Sequence, residues 1–366
     1  MLVLSFFVVR SHNIRIKDLF PIQIILLLLI WAILQIIKYQ AFSPYVLMRF
    51  MNLYFAVLLM KTYGEKLPYA IVDIVTKLSI ISLVGWFFLL VARPVLEFIS
   101  EMSFIPPHGT IKGNLFLIYG LSSDERNCGF AWEPGRYACI LVTAIFFDLL
   151  IRGFRLKRDK NVIILLLALA STMSTTGVIV LLFVMLLYIY NKKPKYIIGM
   201  LPFYIVGFVF VMNQDFMYDK ILNLMLTEDH NIEWENAMSY YATLGDDYIL
   251  VPQRFDGLLY EFLNIVNDPL IGNATDTYSY LYSLFGIKFS LSNGVLRVFA
   301  NMGIFIGLLY YRELYKASKL MSEEYNYKGA LGFFIFFVLI NFSYSWCFEP
   351  LYLAFVFKPY INKIKV

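Results

Sequence analysis

The chain has 366 residues, of which 60% are hydrophobic and only 16% charged, where an ordinary soluble domain carries about a quarter charged residues. At a mean hydropathy of +0.68 a soluble fold would expose large apolar patches, so soluble enzyme, nucleic-acid binder and secreted disulfide scaffold are poor readings. The net charge of +5 conceals a separation: residues 213–293 hold twelve Asp/Glu against three Lys/Arg, a local −9, which leaves +14 on the rest.

At about 20 residues per span, the apolar residues suffice for around ten membrane helices. The first run, Leu2–Val9, is too short to cross about 30 Å of hydrocarbon at 1.5 Å per residue; either it dips into the bilayer or further residues precede it. Longer apolar runs follow near 21–37, 44–60, 68–92, 136–151, 161–173, 176–190, 196–212, 294–311, 329–346 and 350–358. They predict an all-α polytopic membrane protein of about 10–11 transmembrane helices with one large external helical loop.

The connections between these runs are of two kinds. Arg10–Lys17, Lys61–Lys66, Arg152–Lys160, Lys192–Lys195, Arg312–Lys328 and Lys358–Lys365 together hold twenty Lys/Arg and five Asp/Glu. Short loops rich in Lys and Arg stay in the cytoplasm, which puts the C-terminus there too. Tyr39–Pro44, Arg93–Gly135, the stretch around Ser171–Gly177, Gln214–Asn293 and Cys347–Pro350 are neutral or acidic and fall outside, and the two sets alternate along the chain. Three regions follow: membrane helices over 1–212, including an external loop at 93–135 and a helical hairpin at 161–190; an external cap over 213–293; and C-terminal membrane helices over 294–366.

Asn161–Met173 and Thr176–Tyr190 are short and flanked by basic clusters. They predict a hairpin whose apex, Ser171-Thr172-Met173-Ser174-Thr175-Thr176-Gly177, lies at or just below the outer surface. Its hydroxyls can bond back to freed helix carbonyls, and Gly177 allows close approach or a tight turn. Backbone broken at membrane depth is tolerated only against protein or a wet cavity, and a cavity open to the outside is expected here, with an ordinary loop as the alternative. In the cap, Asp256–Val266 reads as an amphipathic helix with Leu259, Phe262, Leu263 and Val266 on one face. Asp268-Pro269-Leu270-Ile271-Gly272-Asn273 then makes a turn. Aromatic residues from Trp234 to Tyr282 are spread through the loop, as expected of a folded cap that could stack on sugar rings.

Arg126-Asn127-Cys128-Gly129-Phe130-Ala131-Trp132-Glu133-Pro134-Gly135-Arg136 places two guanidinium groups and a carboxylate just outside a helix start. Pro134 suits the first turn and Glu133 the positive end, so a helix cap with an ion pair and a functional site are both open. Glu349, in Cys347-Phe348-Glu349-Pro350, sits at a similar helix start. His108 and His230 are lone loop histidines. No Asp-x-Asp sequence, His pair or carboxylate cluster has ligand spacing, so neither a metal nor another cofactor is expected. Cys128, Cys139 and Cys347 have no metal-type spacing, and no disulfide is expected.

Arg126-x-x-Gly129-Phe130-x-x-Glu133-Pro134-Gly135 before a membrane helix resembles the O-antigen and capsular polysaccharide polymerases of bacteria. Three later features resemble that family in the same order: the Ser/Thr-rich apex Ser171–Gly177, Arg254 followed by Asp268-Pro269-Leu270-Ile271-Gly272, and Leu291-Ser292-Asn293-Gly294 leading into a helix with Gly303 and Gly307. The resemblance covers roughly residues 110–350. The related O-antigen ligases usually carry a His before the Asn of the last motif and an Arg in the apex; Ser292 and Thr176 stand there, which favours polymerase over ligase. A lipid-linked oligosaccharide flippase is the alternative from a different class, although no internal repeat is visible.

What the resemblance implies is a glycosyltransferase acting on a polyprenyl-diphosphate-linked oligosaccharide. The leaving diphosphate needs cationic stabilisation, which arginine gives bidentately. Arg126 and Arg254 are the implied catalytic cations, with Glu133 as the base that takes the acceptor proton, although the neighbouring arginines weaken it in that role. Arg136, Arg297, Ser174, Thr175 and Asn293 are the implied substrate contacts; interfacial snorkelling is the other reading of Arg297. The implied partners are the lipid-linked oligosaccharide, membrane lipid and a chain-length regulator protein, with no nucleic acid.

Overall fold

The computed structural model describes residues 22–40, 43–101, 111–115, 119–122, 125–131, 133–153, 160–192, 194–196, 202, 249–250, 254–274, 279–285, 288–289, 291 and 293–361. The expected apolar run at 2–9, that at 196–212 apart from 196 and 202, both loop histidines and most of the cap before Arg254 lie outside these residues. Elsewhere each apolar run becomes a helix, and the ends fall where the sequence changes character. Helix α1 is Ile22–Tyr39 and α2 is Pro44–Tyr63, opened by Ser43, whose Oγ accepts from the Tyr45 amide at 3.3 Å, and by Pro44 at the first position. Both devices satisfy or remove the orphan donors of a helix start. A tight turn over Gly64–Lys66 leads into α3, Leu67–Val91, so 44–91 forms one continuous helical stretch of 48 residues. The basic Lys61–Lys66 connection is thus absorbed into helical structure instead of forming an open loop.

Helix α4 is Arg93–Glu101. An antiparallel hairpin follows, β1 (Ile111–Leu115) with β2 (Tyr119–Ser122), irregular between Ile111 and Gly113. The helices α5 (Pro134–Ile151), α6 (Lys160–Ser171) and α7 (Thr175–Lys192) come next. Strand β3 (Ile249–Leu250) precedes α8 (Arg254–Asn267) and α9 (Ser279–Phe285), and pairs in parallel with β4 (Lys288–Phe289). The chain closes with α10 (Gly294–Glu324), α11 (Ala330–Ser343), α12 (Pro350–Val356) and α13 (Lys358–Ile361). The strand pairs were not expected from the sequence; they are short and confined to connections between helices. The protein is helical, and five of its helical stretches, 22–39, 44–91, 134–151, 175–192 and 294–324, are long and apolar enough to cross a membrane.

The chain divides into two compact units. The first comprises residues 1–64, 219–321 and 333–366, the second 65–218 and 322–332. In the second, α5 is the centre: it packs on α3, α6 and α7, and Tyr137, Leu141, Val142, Phe146 and Phe147 are wholly inaccessible. In the first, α2 packs on α1, α12 and α13, with Ala56 and Val57 fully buried. Phe337 of α11 meets Tyr352 edge-on at 5.4 Å and Phe355 at 5.7 Å on α12.

Candidate functional site

In the second unit, the segment before α5 is knotted to the hairpin apex through Asn127. Its amide donates to the Ser171 carbonyl at 2.9 Å. Its Nδ2 donates to Ser171 Oγ at 2.8 Å and to Ser82 Oγ at 3.4 Å, and its Oδ1 accepts from the Gly129 amide at 2.8 Å. The Tyr137 hydroxyl pairs with Ser82 Oγ at 2.6 Å and donates to Ser79 Oγ at 3.2 Å. Gly129 has φ +53°, and a Cβ there would stand 2.5 Å from the Tyr137 ring, so the loop turns over that ring only with glycine. Gly120 of β2 donates to the Gly129 carbonyl at 2.7 Å, which carries the knot into the β-hairpin.

At the apex, Ser171 Oγ donates to the Ala168 carbonyl and Thr172 Oγ1 to the Leu169 carbonyl, each at 2.7 Å, the back-bonding expected of hydroxyls at a helix end. Gly177 does allow close approach: a Cβ there would lie 2.8 Å from both Ala138 and Leu169 side chains. Ser171, Thr172 and Ser174 are buried, and Asn127 covers the apex, so at these residues the break is met by protein instead of an open cavity. Around this knot, Arg126 and Arg136 are half-buried, while Glu133 is exposed at the start of α5. Its side chain closes no capping bond. Ser174 Oγ accepts from the Gly177 amide at 3.4 Å at the start of α7, and Thr175 follows it, half-buried.

The first unit holds a different construction. Helix α10 is interrupted at Gly303, whose φ of 81° and ψ of 167° are not helical and belong to a region open essentially to glycine alone. In an unbroken helix the Ile304 amide would donate to the Ala300 carbonyl. Here that bond is exchanged for two others: Ile304 donates to the Pro269 carbonyl and the Asn273 amide donates to Ala300, both at 2.8 Å. The turn Asp268–Asn273 therefore fills the break with its own backbone. The approach is close on both sides, since a Cβ on Gly303 would lie 2.0 Å from the Leu270 carbonyl oxygen and one on Gly272 would lie 2.5 Å from the Asn301 carbonyl carbon.

Helix α1 holds the other edge of this turn. Trp31 Nε1 donates to the Ile271 carbonyl at 3.0 Å, and Gln35 Nε2 donates to Ile271 at 3.0 Å and Gly272 at 2.8 Å. Lys38 pairs with the buried Asp268 carboxylate, which also accepts from the Tyr39 hydroxyl. The first turn of α10 is built nearby in sequence: Asn293 Oδ1 caps it, accepting from Val295 at 3.0 Å and Leu296 at 3.4 Å, and Nδ2 donates to the Phe342 carbonyl at 3.2 Å. Arg297, half-buried, donates from Nη1 to the Leu291 carbonyl at 2.8 Å. Arg254 is the first residue of α8; its side chain lies outside the described residues.

Glu261 on α8 is fully buried, with Asn264 and Arg297 as the polar groups that act on its carboxylate. Burial pushes its pKa up to about 7, against the opposing pull of Arg297 and Asn264, because an ionised carboxylate is costly away from water. The same unit contains an apolar cavity of about 270 Å³ lined among others by Ile24, Leu28, Leu53, Leu309 and Phe357, with Arg49 on its wall. The Arg49 guanidinium stacks 3.5 Å over the Phe348 ring.

Sequence reasoning missed Asn127, Gln35, Glu261 and Arg49. A polar or charged residue inside or beside an apolar run is costly and asks for a partner, and that signal was present for Gln35 and Arg49. The sequence-expected residues fall in both units: Arg126, Glu133, Arg136, Ser174 and Thr175 in the second, Arg254, Asn293 and Arg297 in the first. Among the described residues, no group of three or more His, Cys, Asp or Glu is placed to hold a metal ion. The three cysteines are buried.

Helix length and hydropathy make this a multi-pass membrane protein. Comparison of the chain with protein families, with curated proteins and with solved structures finds no match.

Proposed function

We propose that the protein is a polysaccharide repeat-unit polymerase of the O-antigen or capsule type, a membrane glycosyltransferase joining polyprenyl-diphosphate-linked oligosaccharides at the outer face of a bacterial cytoplasmic membrane. The observation that carries this reading is a coincidence of motif and architecture. Each of the four segments that resemble the polymerase family falls where a helix starts, turns back or breaks: 126–136 leads into α5, 171–177 forms the turn between α6 and α7, 268–272 fills the break in α10, and 291–294 opens α10. Irregular backbone at membrane depth has to be buried in protein or line a wet cavity, and interrupted helices build the substrate sites of many membrane proteins. In this reading the chain has about 10–11 spans, with the C-terminus cytoplasmic and residues 213–293 external.

The reaction follows from charge. An acceptor hydroxyl attacks the anomeric carbon of the donor, its proton passes to a carboxylate, and the bond to the diphosphate breaks with both electrons leaving on oxygen. Arg126 and Arg254 stabilise that leaving charge, and Glu133, exposed beside the Asn127 knot, takes the proton. Arg136, Arg297 and Thr175 hold the donor, while Ser174 and Asn293 shape the site by fixing helix starts. A chain-length regulator is the expected protein partner. Arginine supplies the positive charge in this scheme, so purified activity persists in EDTA; loss restored by a divalent ion overturns that part.

A ligase-type glycan transferase is the nearest alternative. A lipid-linked oligosaccharide flippase is the second reading, favoured by the interrupted α10, since broken helices also form transporter sites. One gel separates them: surface glycan from a strain lacking the gene, with the lipid-linked pool beside it. Single repeat units on the surface acceptor without a ladder mark a polymerase, long chains stranded on the carrier a ligase, and units trapped at the cytoplasmic face a flippase. Arg126→Ala and Arg254→Ala each abolish the ladder at unchanged protein level; a normal ladder in both removes the mechanism.

A further inference from the structure

Helix α8 carries its amphipathic pattern in the reverse sense of a helix packed on a core in water. Its apolar stripe faces away from the protein: Leu259, Phe262 and Val266 are 66%, 55% and 60% exposed, and Leu270 just beyond the helix is 64% exposed. These residues recur every three or four positions, so they form one line along the helix. The opposite face holds the buried Glu261, Asn264 and Asp268. Four large apolar side chains in a row are costly to leave in water, whereas a helix lying at a bilayer surface presents such a stripe to lipid.

The depth of this segment is set by its C-terminal anchor. At 1.5 Å per residue, Gln35 lies about 6 Å and Trp31 about 12 Å inward from the Tyr39 end of α1. Those two side chains hold the Ile271 and Gly272 carbonyls, so the chain leaving α8 passes below the end of a membrane-length helix. Asp268 meets Lys38 and Tyr39 at that end. On α1 itself Ile30, Leu34 and Ile37 are exposed as well.

We propose that α8 lies in the membrane interface, with Leu259, Phe262, Val266 and Leu270 packed against the acyl chains of the leaflet at the Tyr39 end of α1. That leaflet is the external one in the topology given above. The sequence pattern assigned this helix to a cap over the membrane; the exposed stripe and the anchor place it in the lipid surface, with its polar face turned inward. The inference needs the multi-pass assignment and these hydrogen bonds, and it stands whether or not the proposed reaction does.

The test is spin-label accessibility in the full-length protein reconstituted into phosphatidylethanolamine–phosphatidylglycerol vesicles. Leu259→Cys, Phe262→Cys, Val266→Cys and, as a polar control on the same helix, Asn267→Cys each receive a nitroxide; Cys128, Cys139 and Cys347 are buried. Collision with oxygen, which concentrates in lipid, is expected to exceed collision with a water-soluble nickel chelate several-fold at 259, 262 and 266, with the order reversed at 267. Preference for the nickel reagent at the three apolar positions overturns the proposal by placing the stripe in water. Protection from both reagents also overturns it, because protein or a second copy of the chain then covers the stripe. Three independent positions keep the test decisive if one variant fails to fold, and glycan synthesis plays no part in the readout.

Discussion

Both units have to fasten an irregular segment against helices, and they do so with different chemistry. In the second unit the fastening is chiefly a side chain: beside one main-chain bond to Ser171, Asn127 reaches Ser171, Ser82 and Gly129 through its side-chain amide. In the first, side chains of α1 hold one edge of the turn, but the break itself is closed backbone on backbone, with Pro269 and Asn273 taking up the donor and acceptor that α10 releases at Gly303. A side-chain fastening accepts any local backbone that brings one amide to the right place. A backbone fastening has no slack, because each partner must come within contact distance of the other's main chain, and only Gly272 and Gly303 leave that room.

This contrast can be broken at its strong end first. Gly303→Ala puts a Cβ into the Leu270 carbonyl and an L-residue into a glycine-only conformation, so a loss of about 5 kcal/mol or more is expected. The detergent-solubilised variant then gives no monodisperse peak on size exclusion. Asn127→Leu keeps the branched shape but leaves the Gly129 amide without its acceptor and Ser171 Oγ without a donor, an expected loss of about 4 kcal/mol, read as a lowered midpoint of thermal unfolding in a protein that still folds. If Asn127→Leu proves the worse of the two, the distinction between the fastenings is wrong.

Glu261 sharpens the comparison through pH. Its pKa is raised from the ordinary 4.5 to about 7, so the native state keeps a proton that the unfolded chain releases. Stability is therefore highest below about 4.5, falls as pH rises, and levels off above about 7, by on the order of 3 kcal/mol. Glu261→Gln is expected to flatten that slope in unfolding midpoints measured from pH 4.5 to 8; an unchanged slope would remove Glu261 as its source. The smallest effect belongs to Lys38→Met. Lys38 is 38% exposed in its pair with Asp268, and Tyr39 still serves that carboxylate, so a loss of about 1 kcal/mol is expected.

The helices were legible because apolar runs bounded by Lys, Arg and Pro announce themselves, and α8 was placed within two residues of its observed start. Hydroxyl back-bonding at Ser171 and Thr172 was legible for the same local reason. The break in α10 was not, although Gly303 and Gly307 stood in view, because an uninterrupted apolar run breaks only when another segment supplies the missing partners. Which way the stripe of α8 points was equally hidden: periodicity reveals that a helix has two faces and is silent on whether the apolar one meets protein or lipid. Glu261 was one acid among twelve in its stretch, and Asn127 was read only as part of the segment between Arg126 and Arg136. Both owe their burial to residues far away in sequence.

The bond from Gln35 to the Ile271 carbonyl spans 236 residues, and that separation is also an interval of time. At roughly 5–20 residues per second of synthesis, α1 is made roughly 10–50 s before the turn that satisfies its Trp31 and Gln35 side chains. Through that interval a glutamine amide waits in an apolar helix without its eventual acceptors. The insertion machinery, or a provisional neighbour such as α2, has to shelter it, so the order of assembly is written into the residue that joins the first helix to a late turn.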